Sequence, residues 1–180
     1  MKHLKKVLLI ALVVVFANNI NAQDKDNRWV IELGANVVDF YPTGADNPAV
    51  GGFFEDFTNT DHWNNASVIS RLRLGYFVGS GFSVGLTGTF NTISNIGEVE
   101  VSDLSYVGAD IDIKYGFVRE PGWFDPYIFA GGGYTWLDTE GNGTANAGLG
   151  FNLWFNDWLG FNIQTKYKHS FDEDKMLPHF

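Results

Sequence analysis

Hydrophobic and polar residues alternate along most of the chain after residue 28. In the stretch GFSVGLTGTFNTI at 81–93, Phe82 and Val84 share one face, and Ser83 and Gly85 share the other. Side chains of a β-strand point alternately to two sides, so a period of two predicts strands whose two faces meet different surroundings. The helical period of 3.6 residues is nowhere sustained. Seven strands are predicted, at 29–40, 66–79, 81–93, 104–118, 125–137, 144–156 and 158–171.

Long and short connections follow one another between these predicted strands. The stretch 41–65 is long, 79–81 (GSG) is short, and 94–103 is again long. Such a succession is typical of up-and-down antiparallel hairpins, with the larger loops mostly at one end. The predicted fold is therefore all-β.

The two faces of the predicted strands differ in side-chain volume and charge. One face is apolar and bulky on every strand, whereas the other is rich in Gly, Ser, Asn and Thr. A closed barrel of about eight strands has an interior just wide enough to be filled by side chains, and the bulky set would overfill it. The apolar face is therefore expected to point outward, where only lipid tolerates it.

Most of the mid-strand charges fall on the polar face and are predicted to form an ionic network inside the barrel. Five are basic and three are acidic, so positive charge is in excess. A paired network that fills a narrow barrel is one interpretation, and a small anion-favouring pore gated by an ion pair is the other. The predicted network comprises Glu32, Arg71, Arg73, Asp110, Asp112, Lys114, Lys166 and Lys168.

Aromatic residues gather towards the two ends of the predicted strands. Aromatic rings with one polar edge settle at membrane interfaces, so two belts are typical of a transmembrane barrel. An ordinary β-core is the alternative explanation for these residues. The predicted interface aromatics are Trp29, Tyr76, Phe117, Trp123, Tyr127, Tyr134, Trp136 and Trp158.

Composition and the first residues change the expected compartment. Lys2, Lys5 and Lys6 precede an unbroken apolar run at 7–16, and Ala22 precedes Gln23. This is the layout of a secretory signal peptide, so residues 1–22 are predicted to be a signal and 23–180 the mature domain. Removing 1–22 takes away three Lys and no acid, which moves the net charge from −9 to −12 and argues against a nucleic-acid partner.

Other candidate chemistry in the sequence is sparse. The stretch DTEGNG at 138–143 resembles the start of a calcium loop, but Leu149 stands where the closing Glu would fall. The loop 41–65 mixes acids and His62 with aromatic residues, without the serine or fixed spacing of a catalytic site. Such a loop is better suited to recognising a surface partner. We expect no enzyme activity, no metal and no cofactor.

Several stretches together resemble the N-terminal barrel of the OmpA family of outer-membrane proteins over residues 28 to 171. They are RWVIELGANVVDFYPTG, NTDHWN, GWFDPYIFAGGGYTW and GTANAGLGFNLWFNDWLGFNIQTKYKHSF. The resemblance implies an eight-stranded antiparallel transmembrane β-barrel in the outer membrane of a Gram-negative bacterium. It also implies outward-facing long loops and a following periplasmic domain that grips peptidoglycan.

The strand count departs from this family pattern. A barrel of this kind has an even number of strands, and only seven complete ones are predicted. The stretch MLPHF at 176–180 is too short to cross a bilayer and is predicted to be a stub of the eighth strand. The sequence is therefore expected to be a fragment that lacks most of that strand, and any peptidoglycan-binding domain would lie beyond residue 180.

Three functions are carried forward from the sequence. The first is a structural barrel that stabilises the envelope, contacts outer-membrane lipid and exposes surface loops for recognition. The second is a porin-like channel for small solutes through the same barrel. The third is a soluble periplasmic β-barrel that binds an apolar ligand.

Overall fold

The computed structural model describes residues 27–66, 69–118, 123–156 and 158–180, so the predicted signal peptide lies outside the described residues. Within these ranges the protein is all-β, apart from a short 3₁₀ turn at Tyr41–Thr43. The strands are β1 (Trp29–Gly34), β2 (Val37–Val38), β3 (Asn64–Asn65), β4 (Arg71–Gly79), β5 (Phe82–Ile96), β6 (Val99–Gly116), β7 (Phe124–Leu137), β8 (Glu140–Trp154) and β9 (Gly160–Ser170).

Seven of the strands form one antiparallel sheet in the order β1-β4-β5-β6-β7-β8-β9, and β2 pairs with β3 separately. The large sheet is curled. Arg71 on β4 donates a hydrogen bond of 3.1 Å to Gln164 on β9, although four other strands separate these two in the sheet. The result is a half-barrel with a concave face and a convex face.

The prediction of an all-β antiparallel fold is confirmed, and each predicted strand corresponds to a strand of the large sheet. The first predicted strand is shorter than expected because the chain bends after β1. The Asn36 backbone N–H is hydrogen-bonded to the Ser70 hydroxyl at 3.0 Å, and that hydroxyl donates to the Asn36 side chain at 2.6 Å. These bonds take the place of strand pairing at the bend.

Two predicted loops are wrong. Strands β5 and β6 continue through most of 94–103 to a turn at Gly97, and β7 and β8 leave only Asp138 and Thr139 between them. Gly97 and Asp138 have positive φ values of 58° and 53°, as tight reversals require. The start of β8 at 140–143 is polar on both faces, so it lacks the alternation that reveals a strand. The start of β6 at 99–102 does alternate, but it is too short to be recognised as a strand next to the turn at Gly97.

The two faces of the sheet have opposite chemistry along each strand. On β6, Asp110 and Asp112 are 2% and 3% exposed, whereas Ile111 between them is 59% exposed. A single-layer sheet has only two faces, so the buried acids lie on the concave face and the isoleucine on the convex face. The same alternation places Leu86 and Leu149 on the convex surface.

Two aromatic residues on β7 enter the concave interior, where the sequence predicts small side chains. Tyr127 is 1% exposed and Phe129 is 6% exposed. Glycines on the neighbouring strand β8 make room for them. A Cβ on Gly148 would lie 2.8 Å from the Phe129 Cε1, and one on Gly150 would lie 2.7 Å from the Tyr127 hydroxyl.

A small apolar cluster fills the end of the half-barrel that carries the loop 39–63. Its buried members are Val38, Phe40, Ile93, Tyr106, Leu137 and Met176. Met176 belongs to the C-terminal tail, by which we mean residues 172–180, so the tail folds back into this end. The cluster places a conventional core beside an otherwise polar interior.

The strands β1 and β9 form the two edges of the half-barrel. They run in the same direction, because successive antiparallel strands alternate and the sheet has seven. At the loop end, the tail lies between β9 and the segment that follows β2. His179 and Lys168 are joined by two backbone hydrogen bonds of 2.7 and 3.0 Å. Phe180 and Asp39 are joined by two more, of 2.9 and 3.0 Å.

We expect Gly148→Ala to reduce the free energy of unfolding by about 1–3 kcal/mol, because the added methyl group collides with the Phe129 ring and the Thr165 carbonyl. Chemical unfolding followed by tryptophan fluorescence measures the change. Gly88→Ala is the matched control, since a Cβ there meets nothing within 4 Å. Equal effects of the two substitutions would contradict this account of the interior.

Candidate functional site

The concave face brings together all eight charged residues that the sequence places in an ionic network. They come from β1, β4, β6 and β9, and their side chains are between 2% and 14% exposed. The curl of the sheet brings these strands within reach of one another. The charges separate into two groups.

The first group centres on Glu32 of β1. Its carboxylate lies 3.0 Å from Arg71, 2.9 Å from Arg73 and 3.5 Å from Lys114. Arg73 faces Glu32 directly across the β1–β4 pair, so the register of the sheet positions the closest contact. One carboxylate therefore holds three cations, and this group is positively charged.

The Glu32 group is joined to neutral side chains that extend its hydrogen bonds, although the buried Arg73 Nη2 has no hydrogen-bond partner. The Lys114 ammonium lies 3.8 Å from the centre of the Tyr127 ring, which adds a cation–π attraction. The Tyr127 hydroxyl donates to Gln164 at 3.2 Å and accepts from Asn162 at 2.6 Å. Gln164 also accepts from Arg71, so the network spans the interior from β4 to β9.

The second group pairs two acids of β6 with two lysines of β9. Lys166 lies 3.2 Å from Asp110 and 2.8 Å from Asp112, and Lys168 lies 3.0 Å from Asp110. Asn146 of β8 donates a further hydrogen bond of 3.0 Å to Asp110. This group is electrically balanced, because each lysine has a carboxylate partner.

Sequence reasoning missed a fourth acid on this face. Asp125 accepts a hydrogen bond of 2.9 Å from Asn152 of β8 and is close enough to Lys114 to interact with its charge. With Asp125 included, five basic residues face four acidic ones. Asp125 was overlooked because it stands at the start of β7, next to Pro126. It is two residues before Tyr127 and four before Phe129, so it points to the concave face with them.

The predicted interface aromatics are placed mostly on the convex side. Trp29, Phe117, Trp123, Trp158, Tyr134 and Trp136 are exposed. Tyr76 is half-buried and accepts a hydrogen bond from Arg28 at 3.3 Å. The prediction for Tyr127 is wrong, because its ring is buried on the concave face, where Gly150 leaves it space.

A cavity of about 860 Å³ runs along the open side of the half-barrel between β1 and β9. Glu32, Arg71, Lys114, Gln164 and Lys166 are among the residues that line it. The ionic network therefore borders the cavity.

No family model, curated protein or solved structure matches this chain. Within the ranges that the structure describes, no group of three or more His, Asp or Glu residues is arranged to hold a metal ion. No helix in that part of the chain is long and apolar enough to span a membrane.

The loop that the sequence offers as a recognition surface is held by its own contacts. His62 stacks on Tyr41 with ring centres 3.9 Å apart, and Glu55 accepts a hydrogen bond of 2.6 Å from the Gly52 backbone. Asn64 anchors the end of the loop, since its side chain bonds to backbone groups of Val38, Ser94 and Asn95. These contacts leave Phe53 and Phe54 exposed on the surface.

We expect Glu32→Gln to lower the free energy of unfolding by about 3–5 kcal/mol, because it leaves three buried cations without a carboxylate. Chemical unfolding monitored by circular dichroism measures the loss. Combining Glu32→Gln with Lys114→Met removes one of the three cations left without a partner and is expected to restore part of the lost stability.

The control for this substitution is Asp172→Asn. It breaks the exposed pair with Lys175, which is 3.1 Å long, and is expected to cost less than about 1 kcal/mol. If Glu32→Gln were no more destabilising than Asp172→Asn, the Glu32 group would not be a stabilising element.

Proposed function

We propose that this protein is an outer-membrane β-barrel whose role is structural, with its convex surface in contact with lipid and its interior closed by ion pairs. One observation carries the proposal: apolar side chains are exposed on the convex face while paired charges are buried on the concave face. A water-soluble sheet with one exposed face would have the opposite arrangement.

The extent of the apolar surface supports a lipid environment. Leu72, Ile111 and Phe161 lie on different strands of the convex face and are 52%, 59% and 54% exposed. Soluble monomers rarely expose contiguous apolar patches larger than a few hundred Å². Transmembrane barrels carry an outward apolar band flanked by aromatic residues, and the exposed Trp29, Trp123 and Trp136 suit such flanks.

The proposed barrel has eight strands, of which seven are present in the described residues, β1 with only six residues, and the tail is the stub of the eighth. Unpaired edge groups on β1 and β9 would be costly in hydrocarbon. Since both edges run in the same direction, one strand antiparallel to both would close the barrel. His179 already pairs antiparallel with Lys168 of β9, and Phe180 pairs with Asp39 in the segment that follows β2.

This architecture suits a barrel that strengthens the envelope without catalysis. Lipid would pack against the convex face, and the two ionic groups would fill the narrow interior. The proposal includes export by the signal at 1–22 and residence in the outer membrane of a Gram-negative bacterium, as the resemblance to the OmpA family implies. Peptidoglycan, through a further domain, and an unidentified partner of the surface loops complete the proposed set of contacts.

A small-solute channel is the second candidate, and the cavity between β1 and β9 favours it. Four basic and three acidic side chains are among the residues that line this cavity, so the small excess of positive charge would favour anions over cations. Recording in planar bilayers separates the candidates: a structural barrel gives no discrete openings, and a channel gives openings with anion selectivity that Lys114→Glu reduces.

We expect Ile111→Lys to lower the free energy of unfolding in lipid vesicles by about 2–4 kcal/mol, because it places a charge on the lipid-facing surface. Unfolding in urea, followed by the heat-modifiable migration of the folded form on gels, measures the change. If the protein is instead a soluble periplasmic barrel, Ile111→Lys is expected to change the free energy of unfolding by less than about 0.5 kcal/mol, because a lysine at a water-exposed position has little effect on stability.

Thr58→Lys is the matched control, because Thr58 lies in the loop 39–63, away from the proposed lipid contact. We expect it to leave stability unchanged within about 0.5 kcal/mol. Equal, small effects of Ile111→Lys and Thr58→Lys, together with folding in the absence of lipid or detergent, would overturn the membrane proposal.

A further inference from the structure

The tail inserts His179 into the loop end of the half-barrel. Its side chain is 1% exposed and packs against the Phe40 ring, with ring centres 5.0 Å apart, and edge-on against Tyr106. The His179 backbone is bonded to Lys168, and the next residue, Phe180, is bonded to Asp39. His179 therefore lies where the tail connects β9 with the chain that follows β2.

The hydrogen bonds of His179 are satisfied by a neutral imidazole with its proton on Nδ1. Its Nδ1 lies 3.1 Å from the Leu177 carbonyl oxygen, which can only accept, so Nδ1 carries the proton. Its Nε2 lies 2.9 Å from the Tyr106 hydroxyl and accepts a hydrogen bond from it. Protonation of Nε2 would remove the lone pair that receives this bond and would direct a proton at the Tyr106 oxygen, which already accepts a hydrogen bond of 3.4 Å from the Lys168 ammonium.

The charged groups around His179 disfavour its protonation. The Lys168 ammonium lies 3.4 Å from the same Tyr106 hydroxyl. The Asp110 carboxylate lies 3.0 Å from that ammonium and partly offsets its charge. On the other side of the tail, the Asp39 carboxylate accepts a hydrogen bond from the Tyr41 backbone and faces His62. Burial, with a smaller contribution from Lys168, lowers the pKa of His179 from 6.5 to about 3.

We propose that His179 is an acid-sensitive latch: its protonation releases the tail and opens the loop end of the cavity. A released tail exposes the imidazole to water, where its pKa returns to about 6.5. The released form therefore binds more protons than the docked form between pH 6.5 and pH 3. The ratio of released to docked tail rises as pH falls through this window, by at most about tenfold per pH unit.

Burial also raises the pKa of Asp39, so this carboxyl is another group at the junction that could contribute to acid release. Its backbone bonds to Phe180, whereas its side chain bonds to Tyr41, so loss of its charge does not break the tail contacts directly. The two residues can be separated by substitution.

The chain contains no cysteine, so a single introduced thiol can report on release of the tail. In the 180-residue chain, Met176→Cys places a single thiol on the buried side of the docked tail, and its labelling rate by a methanethiosulfonate reagent reports release between pH 7.5 and pH 4. The exposed Lys175→Cys corrects for the pH dependence of thiol reactivity. We expect the corrected rate to rise at least tenfold on acidification.

His179→Gln keeps a side-chain oxygen that can accept from Tyr106 but cannot be protonated in this range. In the Met176→Cys background it is expected to stay protected at all pH values, whereas His169→Gln and Asp39→Asn are expected to behave as the parent. Tyr106→Phe removes the donor that stabilises neutral His179, so its release is expected to move to higher pH by roughly 0.5–1 unit.

Acid release that persists in His179→Gln, or that disappears only in Asp39→Asn, would overturn the latch. If His179→Gln left the thiol exposed at every pH, Tyr106→Phe would decide: an unshifted release profile rejects the proposal, and a shift to higher pH supports it. The measurement is made without lipid, so its outcome is independent of the membrane proposal.

Discussion

A curled single-layer sheet offers one protected face, and in this protein that face holds charged side chains. Burying a charge costs free energy unless a partner and hydrogen bonds compensate for it. The pairing of Glu32 with Arg71, Arg73 and Lys114 is therefore the interaction on which the interior depends. The opposite face is left to the apolar side chains, since residues next in sequence point the other way. The ionic network and the apolar exterior are thus two consequences of one alternation.

The interior combines charge pairing with close packing. Tyr127 fills space beside the Glu32 group, offers its ring to Lys114 and bonds Gln164 and Asn162 through its hydroxyl. It does so because β8 presents glycine where another residue would collide with the hydroxyl. An aromatic residue inside the half-barrel therefore stabilises the charges around it, whereas a smaller side chain would leave them less well solvated. Packing and electrostatics cannot be changed independently here.

The edges of the sheet connect the proposed function with the proposed latch. Strands β1 and β9 run in the same direction, so direct pairing between them would be parallel, and the tail supplies the antiparallel segment at the loop end. The contacts that begin to close the seam depend on a buried histidine in its neutral form. If the latch acts as proposed, closure of the proposed barrel at its loop end is linked to pH, while the paired charges of Asp110 and Lys166 lie deeper along the strands.

The sequence by itself determined the strands and their two faces, because alternation is a local property of the backbone. That is why Asp110, Ile111 and Asp112 could be assigned to opposite sides. It could not predict the start of β8, where both faces are polar and the period of two disappears. Only the tertiary structure decided which cation meets which carboxylate and brought the tail between β9 and Asp39. These contacts join residues far apart in the chain, so they depend on the curl of the whole sheet.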